Sequence, residues 1–481
     1  MTGVSRRSFV KSMLAAGSAP MLFNGCATGF LACRKVNVGV VGIGRIAHSM
    51  DIPRTIKYTD LCRFVAVCDL DPRRRAFGRE FIREQYAKLT GETDAPVKTY
   101  ADYHEMFADP SIDAVMLCVP DHWHAILATD AILAGKHIWL QKPFTQTIEE
   151  GRILADLAKK YNRVVQVGSW QRSVKQFALV CELVRNGRIG DVRQVEIGIG
   201  CDKEGGIAAA EPVPATFDYK TWLGPTDPTA PYNWTRCHNQ DLKHIDDRPG
   251  WIQLAPYGWG MITNWGAHHL DIARWGLGAV GPEGVTGTCK WMDLSGDKLW
   301  NVHTNYDLHY SFNGGKTDVH VCDKYQNGVK FIGENGDWLF CTRGAVKVTP
   351  SDPEPKVRPG DLKPMDASKP SLLPKLEKMA GSSLQIHVDN WLAAIAANDP
   401  SMTATNAEGG HRSTSLCSLG QMCMELGRGK KDGFSLAWDV NKEQTGNAAA
   451  DALMKPFARD RFDLRVNLAE FGLDFDKVIK G

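Results

Sequence analysis

The stretch from Lys35 to Ala47, KVNVGVVGIGRIA, does most to restrict what this chain of 481 residues can fold into. An apolar, β-branched run predicts a buried strand, and Gly42, Gly44 and Ala47 after it predict a tight turn into a helix. Gly42 permits the turn, Gly44 lets backbone approach a pyrophosphate, and Ala47 lets the helix pack on the strand with its N-terminus aimed at phosphates. Gly42, Ile43, Gly44, Arg45 and Ile46 are therefore expected to line a dinucleotide. A second apolar run, Phe64 to Cys68, ends in Asp69. A carboxylate there suits a ribose diol and repels a 2′-phosphate, so NAD is expected over NADP, a preference that Arg73, Arg74 and Arg75 soften. The interval from Gly42 to Asp69 exceeds the usual spacing of roughly 20 residues, which an insertion around SMDIPRTIKYTD would explain.

Charge and cysteine usage narrow the partners. The 57 Lys and Arg nearly balance 55 Asp and Glu, and no basic run is interleaved with aromatics, so no nucleic-acid footprint is present. A small-molecule partner is expected instead. The 13 cysteines form no CxxC pair and no zinc-type spacing, and Cys68 and Cys118 sit in apolar runs as core residues. The N-terminus, MTGVSRRSFVKSMLAAGSAPMLFNGCATG, looks like a twin-arginine export signal, with Arg6 and Arg7 paired and a weakly apolar stretch from Met13 to Phe23. That stretch is too short to span a bilayer at about 20 residues per crossing, so no transmembrane segment is expected and a periplasmic location is. Cys26 after Gly25 resembles a lipid-attachment site, although Phe23 and Asn24 depart from that pattern.

Beyond Asp69, strand and helix patterns alternate: a strand from Ala114 to Val119, a helix near Ala125 to Ala134, a strand from His137 to Leu140, and a strand from Val164 to Arg172. In a doubly wound sheet ligands bind beyond the carboxyl ends of strands, which places Pro120, Asp121, His122 and His124, and also Gln141 and Lys142, on one crevice with the cofactor. Arg172 follows another strand end. From about Asn186 the pattern becomes alternating β-type runs, which suggests an antiparallel sheet open on one face and a homo-oligomer formed through it. The Pro-rich stretch from Pro350 to Pro374 reads as a surface excursion, and Leu384 to Asn398 as a helix. The expected class is α/β: residues 1–33 as signal and linker, 34–170 as a Rossmann doubly wound parallel sheet, and 171–481 as an α+β substrate domain with a large, mostly antiparallel open sheet.

Within the second half, RPGWIQLAPYGWGMITNWGAHHLDIARWGLG places Asn264, His268 and Asp271 at helical spacing on one face. Trp251, Tyr257 and Trp259 are candidates for stacking on a sugar face, with core packing as the rival reading. His122, His124, His268 and His269 lack matched carboxylates, so no metal is expected there.

The pieces GIGRIA, CVPDHWH, QKP, GSWQR and WGAHHLD together resemble the glucose–fructose oxidoreductase, inositol dehydrogenase and MocA family. The resemblance implies that Lys142 is a catalytic-site lysine and His268 a catalytic histidine, flanked by Asn264 and Asp271. Arg172, past a strand's carboxyl end, is expected to meet substrate. Gln141 stands where the family usually has Glu, Asp121 where it has Asn, and Asn264 where it has Asp. A neutral amide at 141 is expected to make Lys142 easier to deprotonate. The implied activity is NAD-dependent oxidation or reduction of a secondary hydroxyl or ketone on a sugar, glycoside or cyclic polyol, with tightly bound cofactor. Lys142 would bind the reacting oxygen, and His268, with a pKa near neutrality, would move the proton. The alternatives are a redox-neutral NAD-dependent glycoside-cleaving enzyme and a non-catalytic NAD-binding sensor.

Overall fold

The computed structural model describes residues 34–237, 241–255, 257–343, 349–350, 383–456, 459 and 462–475. Arg6, Arg7, Cys26 and nearly all of the proline-rich stretch lie outside them.

The first sheet has six strands: β1 Val36–Val41, β2 Cys62–Cys68, β3 Lys98–Tyr100, β4 Ala114–Leu117, β5 His137–Leu140 and β6 Val165–Val167. All pair parallel in the order β3-β2-β1-β4-β5-β6. β4 and β5 are buried along their whole length, as expected when helices cover both faces. The order reverses beside β1, so the ends of β1 and β4 open the crevice where ligands bind in such sheets.

The second sheet contains β7 Val192–Gly198, β8 Gly284–Trp291, β9 His303–Phe312, β10 Thr317–Cys322, β11 Gly328–Gly333, β12 Trp338–Cys341, β13 Thr349–Pro350 and β14 Phe434–Ala437. Its order is β13-β12-β11-β7-β10-β9-β8-β14, and only β7 with β10 is parallel. Along β9 the residues alternate between buried Tyr306, Leu308, Tyr310 and outward Asn305, Asp307, His309. One face packs on the helices Lys175–Arg185, Gly266–Leu277 and Ala407–Leu426, and the other stays open. No helix among the described residues is long and apolar enough to cross a membrane.

One sequence expectation needs correction. The strand expected to run to Arg172 stops at Val167 and gives way to a short 3-10 turn, Trp170–Ser173. The run GVKFIGENGDWLFCTR forms a hairpin, β11 with β12. SMDIPRTIKYTD, which lengthens the interval from Gly42 to Asp69, lies in the first crossover. It continues the first crossover helix as a π-helical turn, Ala47–Asp51, followed by Ile52–Thr55. Pro53 has no N–H to offer the carbonyl one turn back, and Arg54 Nη1 donates instead to the Ser49 and Met50 oxygens at 2.9 and 3.2 Å.

The chain also returns to its start. The helix Ser383–Ala397 packs Leu384, Val388, Trp391 and Ile395 into the core under β1 and β2, while Leu464, Leu468 and Phe475 join the core on the other face of the first sheet.

Candidate active site

A cleft opens beyond the carboxyl ends of β1, β2, β4 and β5. Gly42 has φ +85°, donates to the Cys68 carbonyl at 2.9 Å, and would place a Cβ 2.5 Å from the Cys118 carbonyl oxygen. No other residue fits that turn. Gly44 lines the cleft, and a Cβ there would meet no atom within 4 Å. That is an open cradle above backbone amides, the shape a pyrophosphate needs. Ala47 is fully buried beneath it. Gly44→Val should therefore leave the melting temperature almost unchanged while weakening NAD at least about tenfold, measured by thermal denaturation and nicotinamide titration. Unchanged NAD affinity would remove Gly44 from the phosphate cradle.

Asp69 stands at the end of β2 and accepts from the amides of Ile43 at 2.8 Å and Asp71 at 2.9 Å. Burial pushes its carboxyl up, and Arg74 and the two amides oppose that shift. Asp69 thus ties the glycine turn to the ribose end of the cleft. Of the arginines thought to soften the NAD preference, Arg73 pairs with the Asp71 carboxylate and Arg75 donates to the Asp69 carbonyl, while Arg74 donates to the Ile43 carbonyl and lines the cleft beside Asp69.

On the far side, Pro120, Asp121, Gln141 and Lys142 line the cleft as expected. The helix after β5 begins only at Ile148, capped by Thr147 in a capping box with Glu150. Gln141 and Lys142 therefore lie on the strand end, several residues before the helix entrance. Burial holds Lys142 down to about 8; Asp121 opposes the shift, and Arg343 and Arg248 add to it. Asp121 is pushed up by its own burial, with Lys142 as the opposing cation. Burial, and not the neutral amide at 141, leads the lowering of the lysine's value.

The neutral amide at Gln141 has an acidic partner that the sequence did not disclose. Gln141 Nε2 donates to Asp51 Oδ2 at 2.6 Å, and the same oxygen receives Trp139 Nε1 and Cys118 Sγ, each at 3.3 Å. Asp51 is fully buried, its Oδ1 has no hydrogen-bond partner, and burial pushes its carboxyl up to about 6 against those three donors. The carboxylate lies one side chain further back than a glutamate at 141 would.

The helical face expected to carry Asn264, His268 and Asp271 divides at Trp265, between the helices Met261–Asn264 and Gly266–Leu277. Asn264 lines the cleft; His268 and Asp271 do not. His268 is buried between Trp170 and Trp265, its Nδ1 without a partner. Burial, then the charges of Arg343 and Lys142, holds it well below the ordinary imidazole value, which corrects the expectation of a near-neutral pKa. Asp271 and Arg172 are each other's partner, joined at 2.8 and 2.6 Å in a two-point ion pair, with Ser413 Oγ also donating to Asp271. Both are buried away from the cleft, so neither is placed to meet substrate.

Other expectations separate similarly. His122 and His124 bond the carbonyls of Trp222, Pro143 and Val119, and both are held down to about 4, chiefly by burial. They hold loops together behind the cleft wall and do not line it. His269 faces Phe177 and Asn327. Trp251 lines the cleft, whereas Tyr257 packs against His122 and Trp222 and Trp259 against the second core. The sequence reading missed Phe217 and Trp222 on the cleft wall, which belong to a segment whose regular structure is a single short turn of helix, Tyr219–Trp222, too brief to show periodicity. It also missed Arg343, whose guanidinium lies 4.3 Å from the ring centres of both Trp170 and Trp265, next to His268.

Residues 36–169 match the Gfo/Idh/MocA family, described as an oxidoreductase family with an NAD-binding Rossmann fold. The myo-inositol 2-dehydrogenase of Thermotoga maritima is 27% identical over 186 residues, which cover 38% of this chain and 48% of that protein. The matches to curated relatives span only 27% to 48% of those proteins' lengths. The crystal structure of aldose-aldose oxidoreductase from Caulobacter crescentus, complexed with glycerol, superposes with a TM-score of 0.55 at 16% identity, over 84% of this chain and 100% of that one. The WlbA dehydrogenase from Bordetella pertussis, in complex with NADH and UDP-GlcNAcA, gives a TM-score of 0.56 at 17% identity, over 84% of this chain and 99% of that one. Together these findings show an NAD-binding Rossmann fold for the first sheet and a shared two-sheet fold for most of the chain.

Proposed function

We propose that the protein is an NAD-dependent oxidoreductase acting on a secondary hydroxyl or ketone of a sugar, glycoside or cyclic polyol. The observation that carries this reading is Lys142, a lysine with its pKa held near 8 on the wall of a cleft whose opposite wall is a dinucleotide cradle. The names of the relatives, an inositol dehydrogenase and an aldose oxidoreductase, support a polyhydroxylated substrate.

Gly42, Gly44 and Asp69 would hold NAD, which supplies the hydride acceptor or donor when bound. Lys142 binds the reacting oxygen and exchanges its proton, because a group titrating near 8 can do both at neutral pH. Asp121 keeps the lysine from losing its charge altogether. Asn264 offers an amide to a neighbouring hydroxyl from the other wall, and Trp251 a ring face. His268, neutral and off the cleft wall, supports the site through packing beside Arg343.

Export through the twin-arginine route and self-association through the open face of the second sheet belong to the same proposal. Export agrees with a cofactor that stays bound. The decisive test is to purify the chain without added nucleotide and challenge it with aldoses, glycosides and cyclic polyols, following nicotinamide absorbance and product mass. Reduction of bound NAD with a ketone product two mass units lighter is expected. No absorbance change with any member of the panel, on protein shown to contain NAD, would overturn the assignment.

A further inference from the structure

On the open face of the second sheet, β9 contributes Asp307 and His309 and β10 contributes His320 and Cys322. The two strands are antiparallel, and the register sets His309 directly opposite His320 and Asp307 directly opposite Cys322. Residues two apart on a strand share a face. An Asp-x-His and a His-x-Cys pair are thereby brought into one patch of two oxygen, nitrogen or sulfur donors per strand. The ligand atoms of Asp307, His320 and Cys322 all lie within 4.8 Å of one another.

From this arrangement we infer that Asp307, His309, His320 and Cys322 form a site for a single transition-metal ion of the zinc class. Two features separate it from an ordinary polar surface. Both imidazoles turn Nε2 toward the same Asp307 oxygen, His320 in direct contact and His309 at 3.5 Å. Both also have Nδ1 occupied from behind, His309 by Asp318 Oδ2 at 2.9 Å and His320 by the Tyr325 hydroxyl at 2.7 Å. A metal-binding histidine ordinarily has its second nitrogen held in this way, which fixes the tautomer and aims the lone pair at the ion. The rings lie parallel, with centres 4.0 Å apart. Tetrahedral zinc, with bonds of about 2.0 to 2.3 Å, spaces neighbouring donors about 3.3 to 3.7 Å apart, so small rotations of Asp307, His320 and Cys322 would close three positions, and His309 completes the set by turning Nε2 from Asp307 toward the ion.

The donor set decides the class of ion. Two imidazoles, a thiolate and a carboxylate suit zinc or cobalt and fit poorly with calcium or magnesium, which take oxygen ligands. CxxC and HxxxH spacings cannot reveal such a site, because the ligands meet only through strand register.

The full chain, stripped of metal with a chelator and titrated with Co²⁺ alone, should bind one ion per chain. The expected spectrum has the visible bands of tetrahedral cobalt and a thiolate-to-cobalt charge-transfer band, and Zn²⁺ should displace the ion one for one. Cys322→Ser removes the charge-transfer band. His309→Ala, at an exposed position, weakens binding about a hundredfold or more, and Tyr325→Phe about tenfold or more, as outer-shell losses do. If Cys322→Ser does not fold, His309→Ala decides alone. Absence of saturable Co²⁺ binding, or binding unchanged in His309→Ala, would overturn the site and assign any remaining metal to other thiols.

Discussion

Lys142→Met lowers turnover by about 10²- to 10³-fold while NAD remains bound. The loss is that of a donor whose bond to the reacting oxygen strengthens as negative charge develops there. Cofactor retention is spared because Gly44 and Asp69 lie on the other wall. The pH dependence has a definite sign. Oxidation of a hydroxyl needs the neutral amine, so its rate climbs as pH rises through about 8; reduction of a ketone needs the ammonium, so its rate falls through the same value. Asp121→Asn removes the anion that raises the lysine's pKa, and both limbs should move to lower pH. Because Lys142 and Asp121 are coupled, the limbs belong to the pair. Stability gives an independent check. The folded lysine titrates below its ordinary value of 10.5, so wild-type stability rises between about pH 8 and 10.5, and Lys142→Met lacks that rise. Near-normal turnover in Lys142→Met, with NAD confirmed in the protein, would defeat the proposed role.

Asp271→Ala destabilises the protein by about 3 to 5 kcal/mol, the usual result of stranding a buried charge. Arg172 would keep its place over the Trp275 ring and its bond to the Ala404 carbonyl but lose both contacts to a carboxylate. The double replacement Arg172→Met with Asp271→Leu should recover most of the loss, since the pair's own desolvation disappears with it. Burial alone would raise Asp271's carboxyl, but Arg172 and Ser413 outweigh it and hold it below its ordinary value. The stability it contributes is therefore present above the ordinary carboxylate pKa and lost as pH falls through the lower folded value. Denaturant midpoints at pH 7 and under acid measure both effects. A loss under about 1 kcal/mol in Asp271→Ala, or no recovery in the double variant, would count against a structural pair and reopen a catalytic assignment.

The first sheet was legible because each of its signals is local: an apolar run, a glycine turn, a strand end. The same holds for Gly42, Gly44, Asp69, Asp121 and Lys142, which the structure places around one cleft. What could not be read were partners distant in sequence. Arg172 meets Asp271 across 99 positions, and Gln141 meets Asp51 across 90. Asp51 in particular fell in a stretch read as an insertion because the interval from Gly42 to Asp69 is longer than usual, and a proline two residues later disguises the helix there. The four histidines near the cleft show the converse limit: their spacing is compatible with catalysis, yet burial and carbonyl partners assign most of them to packing. The helix Ala407–Leu426 went unnoticed, since glycine, serine and cysteine give it little amphipathic pattern.

The return of Ser383–Ala397 to the first sheet bears on how the protein is made. During synthesis, β1 through β6 leave the ribosome more than two hundred residues before the helix that completes their core. At ordinary elongation rates of about 5 to 20 residues per second, that delay is roughly ten to fifty seconds. For that interval the apolar underside of β1 and β2 lacks its Trp391 layer, a surface on which a chaperone can act and at which a stalled or truncated chain would aggregate.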